Sequence, residues 1–149
     1  MTSNNVIRLH RVLRAPPSRI YRALLDPDAL AKWLPPHGFT CRVHHLDAQV
    51  GGSYRMSFTN FSTGNGHSFN GEYQELVPHE RVVWSDRFED PRLPGEMTTT
   101  VTLRPVSRGT ELLVVQENLP DAIAIEECYL GWQDSLAQLA PLVEPEIPD

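Results

Sequence analysis

The sequence predicts an α+β domain: a curved antiparallel sheet wrapped around one long C-terminal helix, with two short helices after the first strand. Three observations carry this. The middle of the chain is a series of short alternating segments separated by turn residues, which is the pattern of an antiparallel meander. The last part holds one long amphipathic stretch. There Ile125, Cys128, Tyr129, Trp132, Leu136 and Leu139 recur at intervals of three and four, while Glu126, Glu127, Gln133 and Asp134 take the other sides. Between the first strand and the meander lie two proline-led segments of helical spacing. A helix of this kind must bury its stripe, and the sheet is the surface available to receive it.

Asn5 to Leu13 alternates with its odd positions apolar apart from Asn5 and Arg11, which predicts a half-buried first strand. Ala15-Pro16-Pro17-Ser18 ends it, because proline cannot donate to a ladder but can open a helix. Ile20, Tyr21 and Leu24 then follow at helical spacing. In Asp26-Pro27-Asp28 the first residue can cap, the proline fits the first helical position, and Asp28 complements the positive helix end. This second short helix carries Ala29, Leu30 and Trp33 and ends at Pro35-Pro36.

Strands are predicted at Cys41 to Leu46, around Tyr54-Met56-Phe58, around Phe69-Gly71-Tyr73, and at Arg81 to Phe88, Met97 to Leu103 and Thr110 to Gln116. Val50-Gly51-Gly52-Ser53, Thr63-Gly64-Asn65-Gly66, Val77-Pro78-His79-Glu80 and Ser107-Arg108-Gly109 turn the chain between them. Pro141 is expected to end or kink the last helix, leaving an irregular tail past Pro145 and Pro148.

The 149 residues suit one domain with one core. A net charge of −6 argues against a nucleic-acid backbone or an anionic membrane as partner, since both call for a basic patch. Cys41 and Cys128 lie far apart with no CxxC, so a reduced pair and a cytoplasmic protein are expected. The polar start, Met1 to Asn5, carries no signal peptide, and no apolar run reaches membrane-spanning length.

The ordered set of motifs resembles the START-like (SRPBCC, helix-grip) superfamily. It begins with Ala15-Pro16-Pro17-Ser18-Arg19-Ile20-Tyr21-Arg22-Ala23-Leu24, Asp26-Pro27 and Lys32-Trp33-Leu34-Pro35-Pro36. Gly51-Gly52-Ser53-Tyr54, Gly71 to Pro78, Glu80 to Trp84, Thr100 to Leu103 and Gly131 to Leu136 follow in the same order. More narrowly, the chain resembles the branch named after the C-terminal domain of the activator of the heat-shock-protein ATPase. The resemblance implies the helix-grip fold and a family of ligand carriers, cyclases and proteins without assigned activity. It does not fix a function, because the matched residues are mostly turns and core. The eukaryotic co-chaperone has a further N-terminal domain, and this chain is expected to lack it because it starts at the first strand.

A single sheet gripping one helix leaves a gap, and such gaps hold ligands. The expected walls are Met56, Phe58, Tyr73, Trp84 and Met97 from the strands and Tyr129 and Trp132 from the helix, with Trp33 and Phe39 closing one side. Packed core would account for any one of these aromatics, but Trp and Tyr bring a polar handle that a dry core disfavours. Asp86 shares parity with Val82, Trp84 and Phe88; if that face is internal, it must be paired, wet or functional. Asp86, Glu96 and Glu117 are expected at the polar end, and Gln116 and Asn118 also lie near strand ends. His44 and His45, as strand neighbours, should point to opposite faces and so cannot share a metal. His67, near a hairpin tip, is expected in solvent, and Cys128 as a small buried hydrophobe.

No GxSxG, HExxH or GxxxxGK[ST] is present, and no cofactor or metal is expected. The expected function is binding of a small hydrophobic molecule between sheet and helix. The alternatives are a chaperone-associated interaction protein and a cyclase- or hydrolase-like enzyme drawing on Asp86, Glu96, Glu117 and a tyrosine. A homodimer is compatible with each of them.

Overall fold

The computed structural model describes residues 5–149. The polar run Met1 to Asn4 lies outside the described residues. The elements are β1 (Val6–Leu13), α1 (Pro17–Leu25), α2 (Pro27–Trp33), β2 (Phe39–Leu46), β3 (Ser53–Asn60), β4 (Gly66–Val77), β5 (Arg81–Phe88), β6 (Met97–Val106), β7 (Gly109–Glu117) and α3 (Ile125–Val143). The seven strands form one antiparallel sheet in the order β1-β7-β6-β5-β4-β3-β2, so the two short helices carry the chain from one edge to the other. This is the helix-grip architecture the sequence predicts. No helix among the described residues is long and apolar enough to cross a membrane.

The local chemistry explains the start of the chain. Asp26 accepts from the Ala29 amide at 3.0 Å with Pro27 in the first turn, so one residue ends α1 and caps α2. Two register shifts bend the sheet, one between Val43 and His45 and one between Tyr73 and Glu75. The first overturns the expectation for the two histidines. The extra residue puts both on the outer face, where His44 Nε2 lies 2.6 Å from Ser57 Oγ and His45 Nε2 lies 3.0 Å from Ser53 Oγ. No group of three metal-binding side chains exists among the described residues.

Helix α3 is divided in function along its length. Its C-terminal half grips: Leu136, Leu139 and Val143 are buried in the same core as Ile7, Leu9, Val101, Leu112 and Val114. Contrary to expectation, Pro141 does not end the helix, which runs on to Val143. Proline removes only its own bond to Ala137, and Ala137 is exposed, so water can satisfy that carbonyl. The last turn is tied down by Arg19 Nε donating to Val143 O at 2.6 Å and the Arg14 amide donating to Glu144 Oε2 at 2.8 Å.

Leu139 is fully buried in this grip. Leu139→Ala is therefore expected to cost about 2–5 kcal/mol, read as a lowered chemical-denaturation midpoint. An unchanged midpoint would mean that the helix does not hold the sheet.

Candidate functional site

The N-terminal half of α3 roofs a cavity of about 350 Å³ instead of packing on the sheet. The floor comes from alternate residues of four strands. Tyr54, Met56 and Phe58 of β3 face inward, as do Phe69 and Tyr73 of β4, Trp84, Asp86 and Phe88 of β5, and Met97 of β6. Glu127, Cys128, Gly131, Trp132 and Ser135 share one face of α3 and form the roof. One side is closed by Leu30, Leu34 and Pro36, and the other by Leu119 and Ile123.

The side walls are fixed by hydrogen bonds to the roof. Ser135 Oγ lies 2.5 Å from Leu34 O. Gln138 Nε2 donates to Trp33 O at 2.9 Å and to Pro35 O at 2.6 Å. The unpaired carbonyls at the end of α2 are thus satisfied from α3, which locks the short helix over the cavity.

The polar centre is Asp86. Gly71 lies directly across from Tyr54 in the ladder. A Cβ at Gly71 would collide with the Ser85 carbonyl and press on the Tyr54 ring. The missing side chain leaves room for the tyrosine to reach across β4 to β5. Its hydroxyl lies 2.9 Å from Ser85 O and 2.6 Å from Asp86 Oδ1. One hydroxyl proton serves two acceptors, so the contact has two forms. With Asp86 ionised, Tyr54 donates to it. With Asp86 protonated, the acid donates to Tyr54, which turns its own proton to Ser85 O.

Burial pushes the Asp86 carboxyl up to about 7, against the opposing pull of hydrogen bonds from Tyr54 and Trp84. Burial, and then the neighbouring Asp86, raises Tyr54 and Tyr73 well above the ordinary phenol range. A second polar group spans roof and floor: Trp132 Nε1 donates to Gln116 Oε1 at 3.2 Å, and Gln116 Nε2 donates to Thr99 Oγ1 at 3.0 Å.

Of the twelve side chains expected at the site, eight line this cavity: Phe39, Met56, Phe58, Tyr73, Trp84, Asp86, Met97 and Trp132. Four do not. Trp33 is wholly buried behind the wall, where its indole donates to Ala23 O at 2.9 Å and pins α1 to α2. Tyr129 is turned toward the β1 edge, and its hydroxyl accepts from the Arg8 amide at 3.3 Å. Glu96 is exposed and pairs with Arg87 at 2.9 Å. Glu117 is exposed next to the inward-facing Gln116.

His67 is exposed, as expected, and takes a further place at the cavity. Its ring closes the cavity mouth among Phe39, Phe58, Phe69 and Phe88, with centroids 5.8–6.4 Å away. Burial lowers its basicity, partly countered by Asp90. Loop residues Leu119 and Ile123 gave no periodic signal. Gln116 could have been chosen over Glu117 by parity with the inward Leu112 and Val114.

The raised Asp86 carboxyl has a stability signature. Its ordinary value is 3.8 and its folded value about 7, so between those points the folded chain holds more protons than the unfolded one. Stability therefore falls as pH rises through this window, by up to about 4 kcal/mol, and levels off above it. Asp86→Asn keeps the shape and removes the titration. Denaturation at about pH 5 and pH 8 should show wild type losing stability relative to the variant; parallel curves would refute an elevated Asp86.

The comparisons with known proteins agree with the fold. The family model for Activator of Hsp90 ATPase homolog 1-like protein matches residues 14–144. The chain is similar to the crystal structure of protein CV1439 from Chromobacterium violaceum, with 63% identity over 95% of this chain and 99% of that one and a TM-score of 0.94. A protein from Rhodobacter sphaeroides shares the fold at 23% identity and TM-score 0.81, covering 95% of this chain and 93% of its own. One from Nitrosomonas europaea does so at 24% identity and TM-score 0.76, covering 97% of each. A search of curated proteins finds no match. With the matched model spanning nearly the whole chain and the helix-grip architecture in place, the chain belongs to the Activator of Hsp90 ATPase homolog 1-like family of the START-like superfamily.

Proposed function

We propose that the protein binds a small, mainly hydrophobic molecule in the cavity between the sheet and the first half of α3. One observation carries this reading: a space of about 350 Å³ is walled by aromatic and aliphatic side chains and holds a single carboxyl, Asp86, among its inner strand residues. That combination of apolar walls and few placed polar groups is typical of ligand sites, and the volume lies within their usual range.

Gly131 supports the same reading. It faces the cavity from mid-helix, and a Cβ built there meets nothing within 4 Å. Glycine inside a helix costs about 0.5–1 kcal/mol relative to alanine, so this position gives up stability and leaves space. The proposal takes the protein to be cytoplasmic. Cys41 and Cys128 are free thiols, and burial pushes Cys41 up to about 11, which keeps it unreactive.

Substitution at Gly131 tests the reading, with the neutral dye N-phenyl-1-naphthylamine as probe. The wild type should bind it saturably at one site. Gly131→Ala should retain binding and melt at a higher temperature. Gly131→Phe, which fills the space, should lose binding while keeping the circular dichroism of the fold. Equal dye affinity in a folded Gly131→Phe protein would remove the cavity as the binding site.

A further inference from the structure

The charges around the cavity are one-sided. The sequence has thirteen Lys and Arg side chains, and none of them lines the cavity. The arginines nearest in sequence are engaged elsewhere: Arg87 pairs with Glu96, and Arg55 pairs with Glu89 at 2.8 Å. Among the described residues the only basic group on the wall is His67, whose burial favours the neutral ring. Against this stand two carboxyls, Asp86 inside and the exposed Glu127 on the roof.

Asp86 is also only partly occupied. A carboxylate offers about four acceptor positions. Tyr54 takes one at 2.6 Å, and the Trp84 indole donates as well. Both donors are neutral, so a buried anion is left without a counter-charge, an arrangement that a bound cation would relieve. The rings of Tyr73, Trp84 and Trp132 in the cavity lining supply π surfaces, which attract a cation and repel an anion.

We propose that the ligand is a hydrophobic amine that enters as its ammonium form, pairs with the Asp86 carboxylate and lays its apolar body against the aromatic walls. The proposal rests on the cavity being a ligand site and adds the charge class of what it takes. Fatty acids and other anionic lipids are excluded by the same field, and neutral molecules of the same shape lose the ion pair. An ammonium–carboxylate hydrogen bond in a water-poor site is about twice as strong as its neutral counterpart, which sets the expected discrimination.

A probe series with one body and three charges tests this: 1-naphthylmethylamine, 1-naphthylmethanol and 1-naphthylacetate. Each is titrated calorimetrically, and by displacement of N-phenyl-1-naphthylamine, at about pH 8, where the amine is protonated and Asp86 is mostly ionised. On the wild type the amine should bind at least about tenfold tighter than the alcohol, with the acetate weakest. In Asp86→Asn the amine should fall to the level of the alcohol while the dye still binds. If the alcohol or acetate matches the amine on the wild type, the charge preference is wrong and the cavity reading stands. If an unaltered amine preference survives in Asp86→Asn, Asp86 is not the partner and the proposal falls. If neither the dye nor any of the three binds, both readings fall together.

Discussion

One helix has to cover the concave face of seven strands. A helix is about 10–12 Å across and strands are spaced about 4.8 Å apart, so it spans roughly two of them. Helix α3 spends its covering power at one side, where its closest approach to the sheet is at the β1 edge and Leu136, Leu139 and Val143 are buried in the core. Helix α2 covers the opposite edge against β2. The middle of the sheet, β3 to β6, is left facing a roof that it does not touch closely. The cavity is thus a consequence of unequal cover. Large aromatic side chains reduce it but cannot close it, since each can fill only the volume above its own strand.

The polar centre depends on the same middle strands. A carboxyl among these walls would ordinarily be a liability. Here it is tolerated because a neighbour two strands away reaches it, and that reach exists only because Gly71 has no side chain. Tyr54 and Gly71 therefore act as one unit. The tyrosine braces β3 to β5 over the glycine, and its hydroxyl accommodates Asp86 in either protonation state without moving a heavy atom. The β4 bulge just past Tyr73 adds the curvature that turns these side chains toward a common point.

Much of this is legible in the sequence, for physical reasons that differ by element. The strand floor is readable because alternation fixes facing: Tyr54-Met56-Phe58 and Trp84-Asp86-Phe88 each share one side. The same rule rejects Glu117 in favour of Gln116 and Glu96 in favour of Met97. Proximity to a strand end was the weaker guide there, and parity the stronger. The rule fails where a bulge intervenes, as at His44 and His45, because an inserted residue reverses facing and leaves no mark in the residue types. Trp33 and Tyr129 were legible as buried aromatics but not as core or cavity. That distinction depends on whether the ring finds a backbone partner, Ala23 O for the one and the Arg8 amide for the other. The loop side of the cavity, Leu119 and Ile123, follows no period and had to await the fold.

The hydrogen-bond accounting narrows what the site can still offer to a ligand. No buried side-chain polar atom lacks a partner among the described residues. Gln116 is held at both ends, receiving from Trp132 and donating to Thr99, so its amide orients the roof over the floor and is already committed. Ser135 and Gln138 are spent on the carbonyls of α2 and its following turn. A ligand entering this cavity would therefore find the side chains of Gln116, Trp132 and Ser135 already committed, and apolar contact would supply most of its affinity. Asp86 is the charged group still open to a ligand, because a carboxylate has more acceptor positions than Tyr54 and Trp84 occupy. The walls are braced by hydrogen bonds within the chain, while Asp86 keeps acceptor positions for a further donor. Recognition would then turn on a single charged atom pair set within a large apolar contact, with the contact giving the affinity and the carboxylate choosing among molecules of similar shape.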